Sequence, residues 1–450
     1  MDTKRLEPNV PFLRGKRAVV LAVVVIFCAV VGSLILFQPP GGPQVWDQNE
    51  YHLPAIKQFS AQLPTPDISD YNLAMTPGYH LALAVIDRYV SDDLRVLQGF
   101  SSLFGLCLIV LVLWNVWRFV GPWTGMLLVG PLLLSGYVLR VGAFLNTDNA
   151  ALVLVAFVVA GVAFQPTTPA RSLRLGLISM AAVAVRQIQV WPVGLVLLGG
   201  MMASPLAKRV PWLPGIAVPT TQRWANLLAA SVAFLMPWVV IGFFVSVWGG
   251  LTPPMMAEKH NASLALVTPA YSLSLIACFG VFFLPVCFSM PTRGSVRGWW
   301  IWPGVVVGFL GAVAVPTTFE AAAGINGGGI LWIVARNMPE VADRSLLLMV
   351  LAPLGAVVIL AMIRETILRG HGRVGVMLGV GVLGFIAAQT FNPQVSQRYF
   401  EPIMLVMLAW LAAAGARDDR TWGWVVGPGL LCFAQLVMLL PRLGLIPGGM

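Results

Sequence analysis

The stretch that decides the fold is AVVLAVVVIFCAVVGSLILF (Ala18–Phe37), followed by QPPGGP (Gln38–Pro43) and QVWDQNEYHLP (Gln44–Pro54). An apolar run of this length is about 30 Å long as a helix, the thickness of a bilayer's hydrocarbon core. Lys4, Arg5, Arg14, Lys16 and Arg17 precede it. A secretory signal would end in small residues at a cleavage site. This run ends in prolines and glycines, which predicts an uncleaved first span with a cytoplasmic N-terminus. The acidic cluster after it then falls on the far side of the membrane.

Working outward, the same texture fills the chain. Of 450 residues, 58% are hydrophobic and 10% charged, against roughly 25% charged in soluble domains. A soluble core cannot hide that much apolar surface, because surface area grows almost as fast as mass. The net charge of +10 does not point to nucleic acid, since the basic residues sit singly or in pairs between apolar runs. That pattern is a topology signal. Cys28, Cys107, Cys278, Cys287 and Cys432 lie in or beside apolar runs and show neither a disulfide framework nor metal spacing.

Thirteen candidate spans follow: 18–37, 96–117, 122–139, 149–164, 173–186, 189–203, 226–248, 266–290, 299–316, 345–363, 374–390, 399–415 and 422–440. The expected fold is an all-α polytopic membrane protein with 1–450 as a single transmembrane domain. Segment 77–90 is apolar but too short to cross, which predicts a re-entrant or interfacial helix. Charge counting agrees. If 77–90 stays on the outer side, 18 of the 28 Lys/Arg fall in cytoplasmic loops; if it crosses, the split is even. The positive-inside rule selects the first arrangement. Outer loops are then 38–95, 140–148, 249–265, 317–344 and 391–398.

The outer loops hold the residues suited to chemistry. In 38–95, Asp47, Glu50 and His52 fall within six residues. A helix from Glu50 to Leu63 would carry Tyr51, Ile56 and Phe59 towards the membrane, with Asp47 at its N-terminal end, where the dipole favours a carboxylate. Such a carboxylate can act as a general base on a sugar hydroxyl or simply cap the helix. His80, in MTPGYHLALAVIDRYV (Met75–Val90), is a site candidate or an interfacial anchor. Asp148, in FLNTDNA, is a ligand-binding acid or a cap. Arg186, between two short apolar arms, is costly at that depth unless paired; otherwise it snorkels. Glu258, Lys259 and His260 form a compact polar cluster, and one histidine is too few for a zinc site. Arg398, in FNPQVSQRYFEP, has the planar fork that grips a phosphate with two hydrogen bonds, or anchors the span end beside Tyr399.

Taken in order, these motifs resemble the GT-C glycosyltransferases, which use lipid-phosphate sugars at the outer membrane face. More narrowly they resemble the dolichyl-phosphate-glucose alpha-1,2-glucosyltransferase family. Its acidic pair and H-I-P resemble Asp47, Glu50 and His52-Leu53-Pro54; its T-x-P-G-L-Y resembles Met75-Thr76-Pro77-Gly78-Tyr79. Its Y-T-D resembles Asn146-Thr147-Asp148, and its R-Q-T resembles Arg186-Gln187-Ile188. Its D-K-x-N-H loosely resembles Glu258-Lys259-His260-Asn261, and its late N-R-H-Y-x-F-Y resembles Gln397-Arg398-Tyr399-Phe400. The acids here are split as Asp47-Gln48-Asn49-Glu50, so either can be the base. The resemblance implies a GT-C-type bundle of about 13 helices and an inverting hexosyltransferase. The donor would be a polyprenyl-phosphate sugar and the acceptor a lipid-linked or cell-envelope glycan, with membrane lipid as the other partner. Asp47 and Glu50 would be catalytic; His52, His80, Asp148, Arg186, Glu258, Lys259, His260 and Arg398 would bind donor or acceptor. No cofactor is expected, and a divalent metal is compatible with the sequence although no metal site is indicated. The setting would be a prokaryotic plasma membrane with the site on the outer face, or the endoplasmic reticulum in a eukaryote. The rivals are a multi-pass transporter or lipid-linked-sugar flippase, and a polysaccharide polymerase or ligase.

Overall fold

The computed structural model describes residues 10–37, 43–209, 223–257, 264–287, 301–322, 328–417 and 421–440. The protein is an all-α polytopic membrane protein. Among the described residues the β structure is a two-residue pairing, Glu340–Val341 with Arg344–Ser345, and a single bridge between Gly328 and Ser396. Each of the thirteen apolar runs carries helix. Among the described residues, six helices are long and apolar enough to cross a membrane, Arg14–Phe37, Leu94–Val116, Trp224–Trp248, Thr268–Cys287, Leu346–Leu368 and Gly372–Gln389.

The expected span 122–139 is not one straight helix. It breaks into Pro122–Leu133 and Gly136–Ala143, bent by 68°. The Ser135 hydroxyl at the break donates to Glu401 Oε1 at 2.7 Å, a contact that a continuous helix would redirect.

Helix Gln397–Ala414 is the axis of the bundle. Every residue from Phe400 to Ala414 is buried, so it is ringed by other helices, as expected of a helix apolar on all sides. Close approach around it depends on small residues. Gly355 of Leu346–Leu368 sits so near the Leu273 carbonyl that any side chain there would collide with backbone.

The segment after the first span, residues 43–93, folds as a unit with its own apolar core. Ile56, Phe59, Tyr71, Tyr79, Leu83 and Trp248 are all buried in it. Helical backbone begins at Pro43, earlier than the expected Glu50, and runs through Pro43–Asp47, Gln48–His52 and Leu53–Gln62. Ile56 and Phe59 therefore face Tyr71 and its neighbours rather than the membrane. The second helix of the loop, Gly78–Tyr89, has twelve residues and spans only about 18 Å, too short to cross alone. Lys57 Nζ bonds Asp87 Oδ1 at 2.6 Å and the Asp92 carbonyl at 3.0 Å, tying the two loop helices together.

Candidate active site

The local device that builds the site is the turn Gln48–His52. It is π-helical, and the Leu53 N–H reaches back to the Gln48 carbonyl. In a regular α-helix, residues five apart are about 140° apart around the axis. A π-turn holds roughly 4.4 residues and brings positions five apart to within about 50°. Asp47 and His52 consequently share a face, and both line the same cavity. Asp47 has helical backbone angles and makes no cap hydrogen bond. Its carboxylate instead accepts from Arg398 Nη1 at 2.8 Å, so it is not a helix cap.

Buried amides lock this turn to the next motif. Gln48 Oε1 accepts from Gln98 Nε2 at 2.9 Å and from the Leu145 N–H at 3.1 Å. The Tyr79 hydroxyl accepts from the Asn146 N–H at 3.0 Å, and Asn146 Oδ1 accepts from the Asp148 N–H at 3.0 Å. Asp148 thus opens helix Asp148–Ala163 in a fixed register. Its carboxylate pairs with Arg186 and makes no other hydrogen bond among the described residues.

Arg186 stands where helix Pro169–Val185 stops. Its backbone is extended, with φ −151° and ψ 117°, before the chain turns into a short helical stretch and Pro192–Met202. The segment after the first span braces this break. Gln187 Nε2 donates to the Ala74 carbonyl at 2.8 Å, and Thr76 Oγ1 donates to the Val183 carbonyl at 2.6 Å. Gly78 passes so close that an added Cβ would lie 2.5 Å from the Ala184 carbonyl oxygen. The Thr76–Gly78 motif therefore docks on the backbone of helix Pro169–Val185, through the Thr76 hydroxyl and through a close approach that glycine permits at position 78.

Two arginines and two carboxylates meet here. The Arg186 and Arg398 guanidiniums lie 4.9 and 4.7 Å from the Tyr399 ring centre, a cation–π distance. The Tyr399 hydroxyl accepts from Arg398 and donates to Gln394 Oε1 at 2.8 Å. Asp47, His52, Asp148, Arg186, Arg398 and Tyr399 all line one cavity of about 710 Å³. Its other wall is apolar, with Trp191, Trp238, Ile241, Leu251 and Met256. The cavity therefore combines an apolar lining with two arginines, each ion-paired to a carboxylate, for which an anionic head group would compete.

Four of the sequence candidates, Asp47, Asp148, Arg186 and Arg398, therefore converge although the chain separates them widely. His52 joins them from a buried position, bonding His80 at 2.8 Å. His80 is fully buried behind it and is no interfacial anchor. Glu50 is exposed and does not line the cavity. Glu258, Lys259 and His260 lie outside the described residues. Among those described, no three His, Cys, Asp or Glu side chains cluster in a metal-holding arrangement. Tyr399 and Tyr71 were not singled out as site residues from the sequence. Tyr399 directly follows Arg398 in the sequence, whereas Tyr71 lies in a stretch with no motif at all.

Burial sets the charge state of the histidines. His52 is driven from 6.5 to about 3, chiefly by burial, then by the nearby Arg398 and Arg186 charges. His80 is held well below its ordinary value by burial and by His52. Both are neutral at physiological pH.

No family model and no curated protein matches the sequence. Among solved structures, the Archaeoglobus fulgidus oligosaccharyltransferase in its apo form aligns with 13% identity and a TM-score of 0.33, over 89% of this chain and 57% of that one. The chain thus spans little more than half the length of that protein, and the likeness is too loose to carry any inference about activity.

Proposed function

We propose that this protein is an inverting glycosyltransferase of the GT-C type that moves a hexose from a polyprenyl-phosphate sugar to a lipid-linked or envelope glycan at the non-cytoplasmic face. The observation that carries the reading is the convergence of Asp47, Asp148, Arg186 and Arg398 in one cavity with an apolar wall. A prenyl chain fits the apolar wall, and its phosphate fits the arginine pair.

In this reading, Asp47 takes the proton from the acceptor hydroxyl as that oxygen attacks the anomeric carbon. The bond from the anomeric carbon to the phosphate oxygen breaks on the opposite side, and its electron pair leaves with the lipid phosphate. One displacement inverts the anomeric centre. The phosphate passes from a diester monoanion to a monoester dianion, so negative charge grows during reaction. Arg398 and Arg186 then bind the transition state better than the ground state, which is the condition for catalysis. Asp148 has unused acceptor capacity and orients the acceptor. Without donor, Asp47 and Arg398 neutralise each other. An arriving phosphate competes for the guanidinium and releases Asp47 as a base.

The test is transfer by the purified protein in nanodiscs. A panel of polyprenyl-phosphate hexoses is offered with envelope lipids as acceptor, and the product linkage is read by mass spectrometry and NMR. Inverted hexose on a new hydroxyl is the expected result. Movement of intact lipid-linked sugar across vesicles, with no covalent transfer, would replace the reading with a flippase.

A further inference from the structure

Behind His52 lies a buried hydrogen-bonded chain that the transfer reaction does not by itself require. His52 Nδ1 and His80 Nε2 are 2.8 Å apart, and the two rings lie nearly coplanar, with planes 8° apart and centres 5.1 Å apart, the end-to-end arrangement that an N–H···N bond requires. His80 Nδ1 is 2.8 Å from the Tyr71 hydroxyl. Tyr71 is sandwiched between Phe59 and Trp248, both stacked on it. All three members are buried, and His52 is the one that lines the cavity. Tyr79 stands edge-on to both imidazoles, and the charges facing the chain are those of Arg398 and Arg186.

Hydrogen counting fixes the direction of this chain. The Tyr71 hydroxyl has one partner among the described residues, His80 Nδ1. A phenol that accepted there would strand its own proton in a dry site, and an unmet buried donor is costly. Tyr71 therefore donates, and burial keeps it protonated. His80 Nδ1 must then be the lone pair, which puts the His80 proton on Nε2. That proton is donated to His52 Nδ1, and a neutral His52 is left with its own proton on Nε2. The hydrogen bond that His52 makes among the described residues uses Nδ1, which leaves Nε2 free for a ligand in the cavity that His52 lines.

We propose that Tyr71, acting through His80, fixes His52 as the Nε2–H tautomer, so that His52 donates a hydrogen bond to an oxygen of the bound lipid-phosphate sugar. Tyr71 and His80 are positioning residues; His52 touches substrate. In this state His52 cannot accept a proton from the cavity, which leaves Asp47 as the base there. A neutral donor also adds a directed contact beside two cations without a third charge to desolvate. The ligand oxygen rests on the glycosyltransfer reading; the tautomer does not.

The decisive experiment needs no variant. The chain has four histidines, so ¹⁵N-histidine NMR of the protein in nanodiscs is tractable. The expected result is two buried neutral imidazoles at pH 7, both protonated at Nε2. Tyr71→Phe, which keeps both ring stacks, should move His52 towards the Nδ1–H form. A wild-type His52 protonated at Nδ1, or a tautomer indifferent to Tyr71→Phe, overturns the proposal. The functional arm is a double-mutant cycle in the transfer assay. His52→Gln keeps an N–H near the Nε2 position and should hold kcat within about tenfold, whereas His52→Ala should lose on the order of 10². Tyr71→Phe should lower kcat about tenfold with His52 present and less than twofold in His52→Gln, because only histidine has a tautomer to lose. Equal losses in the two backgrounds would make Tyr71 merely structural. An Nε2–H tautomer in a protein that transfers no sugar would retain the relay and discard the glycosyltransfer reading.

Discussion

Replacing Asp47 by Asn should move donor binding and turnover in opposite directions. Asn has the shape of Asp and can still accept from Arg398 through Oδ1, so the 2.8 Å contact survives as a neutral hydrogen bond. What disappears is one negative charge beside the guanidinium and the only basic atom the turn offers to the cavity. Asp47 and Arg398 are each about four-fifths buried, so their attraction is less screened than that of a surface pair, which is worth roughly 0.2–1 kcal/mol. Taking about 1 kcal/mol as the competition removed, an anionic donor should bind roughly fivefold tighter to the variant. Loss of a general base should lower kcat by about 10² or more. The assay pairs equilibrium binding of a fluorescent polyprenyl-phosphate hexose with single-turnover transfer. Glu50→Gln is the control, because Glu50 is exposed and off the cavity; it should stay within about threefold of wild type. Weaker donor binding in Asp47→Asn would refute the competition argument, and turnover within tenfold of wild type would remove Asp47 as the base. Loss of transfer in Glu50→Gln alone would shift the base to Glu50.

Three further outcomes follow from the same geometry. Arg398→Lys should raise the donor KM about tenfold with the fold intact, since a lysine offers a point charge in place of the fork that bonds Asp47 and stacks on Tyr399; donor titration measures this. Gly78→Ala drives a methyl against the Ala184 carbonyl and should cost about 1–3 kcal/mol, read as a lower Tm, while Gly32→Ala, with nothing within 4 Å, should not lower it. The His52 pKa is depressed from 6.5 to about 3, so the unfolded chain binds the extra proton first. Its contribution is full above pH 6.5 and fades as pH falls towards 3, reaching a loss of about 2 kcal/mol at pH 5. Thermal melts at pH 7 and 5 should separate wild type from His52→Gln, which should be flatter, and equal slopes would mean that His52 is charged in the folded protein.

Much of the fold was legible because lipid imposes a coarse rule. Every backbone group must be satisfied within its own helix, so apolar length alone locates helices, and the thirteen runs did so. What length cannot register is a break satisfied from outside. The Ser135 hydroxyl at the bend is met by Glu401, and the extended backbone at Arg186 is braced from Ala74 and Thr76. Those partners are distant in sequence and carry no periodic signal. The candidate acids and arginines were legible for a related reason. A charge at a span end in so apolar a chain is expensive unless it has a partner, so its presence predicts one, though not which one.

The segment after the first span shows where the period itself misleads. At 3.6 residues per turn, Asp47 and His52 fall on different faces, and Glu50 looks as good a base as Asp47. The π-turn changes that by inserting one residue's worth of rotation between them. It swings Asp47 and His52 to the cavity and leaves Glu50 exposed. Nothing in QNEYH announces a π-turn. It is held by Gln48, whose buried amide bonds Gln98 and the Leu145 backbone. Without those bonds the turn could relax to α geometry, and Asp47 and His52 would part. Gln48 is thus the residue on which the choice between two neighbouring carboxylates turns, although it touches neither Asp47's partner nor the cavity.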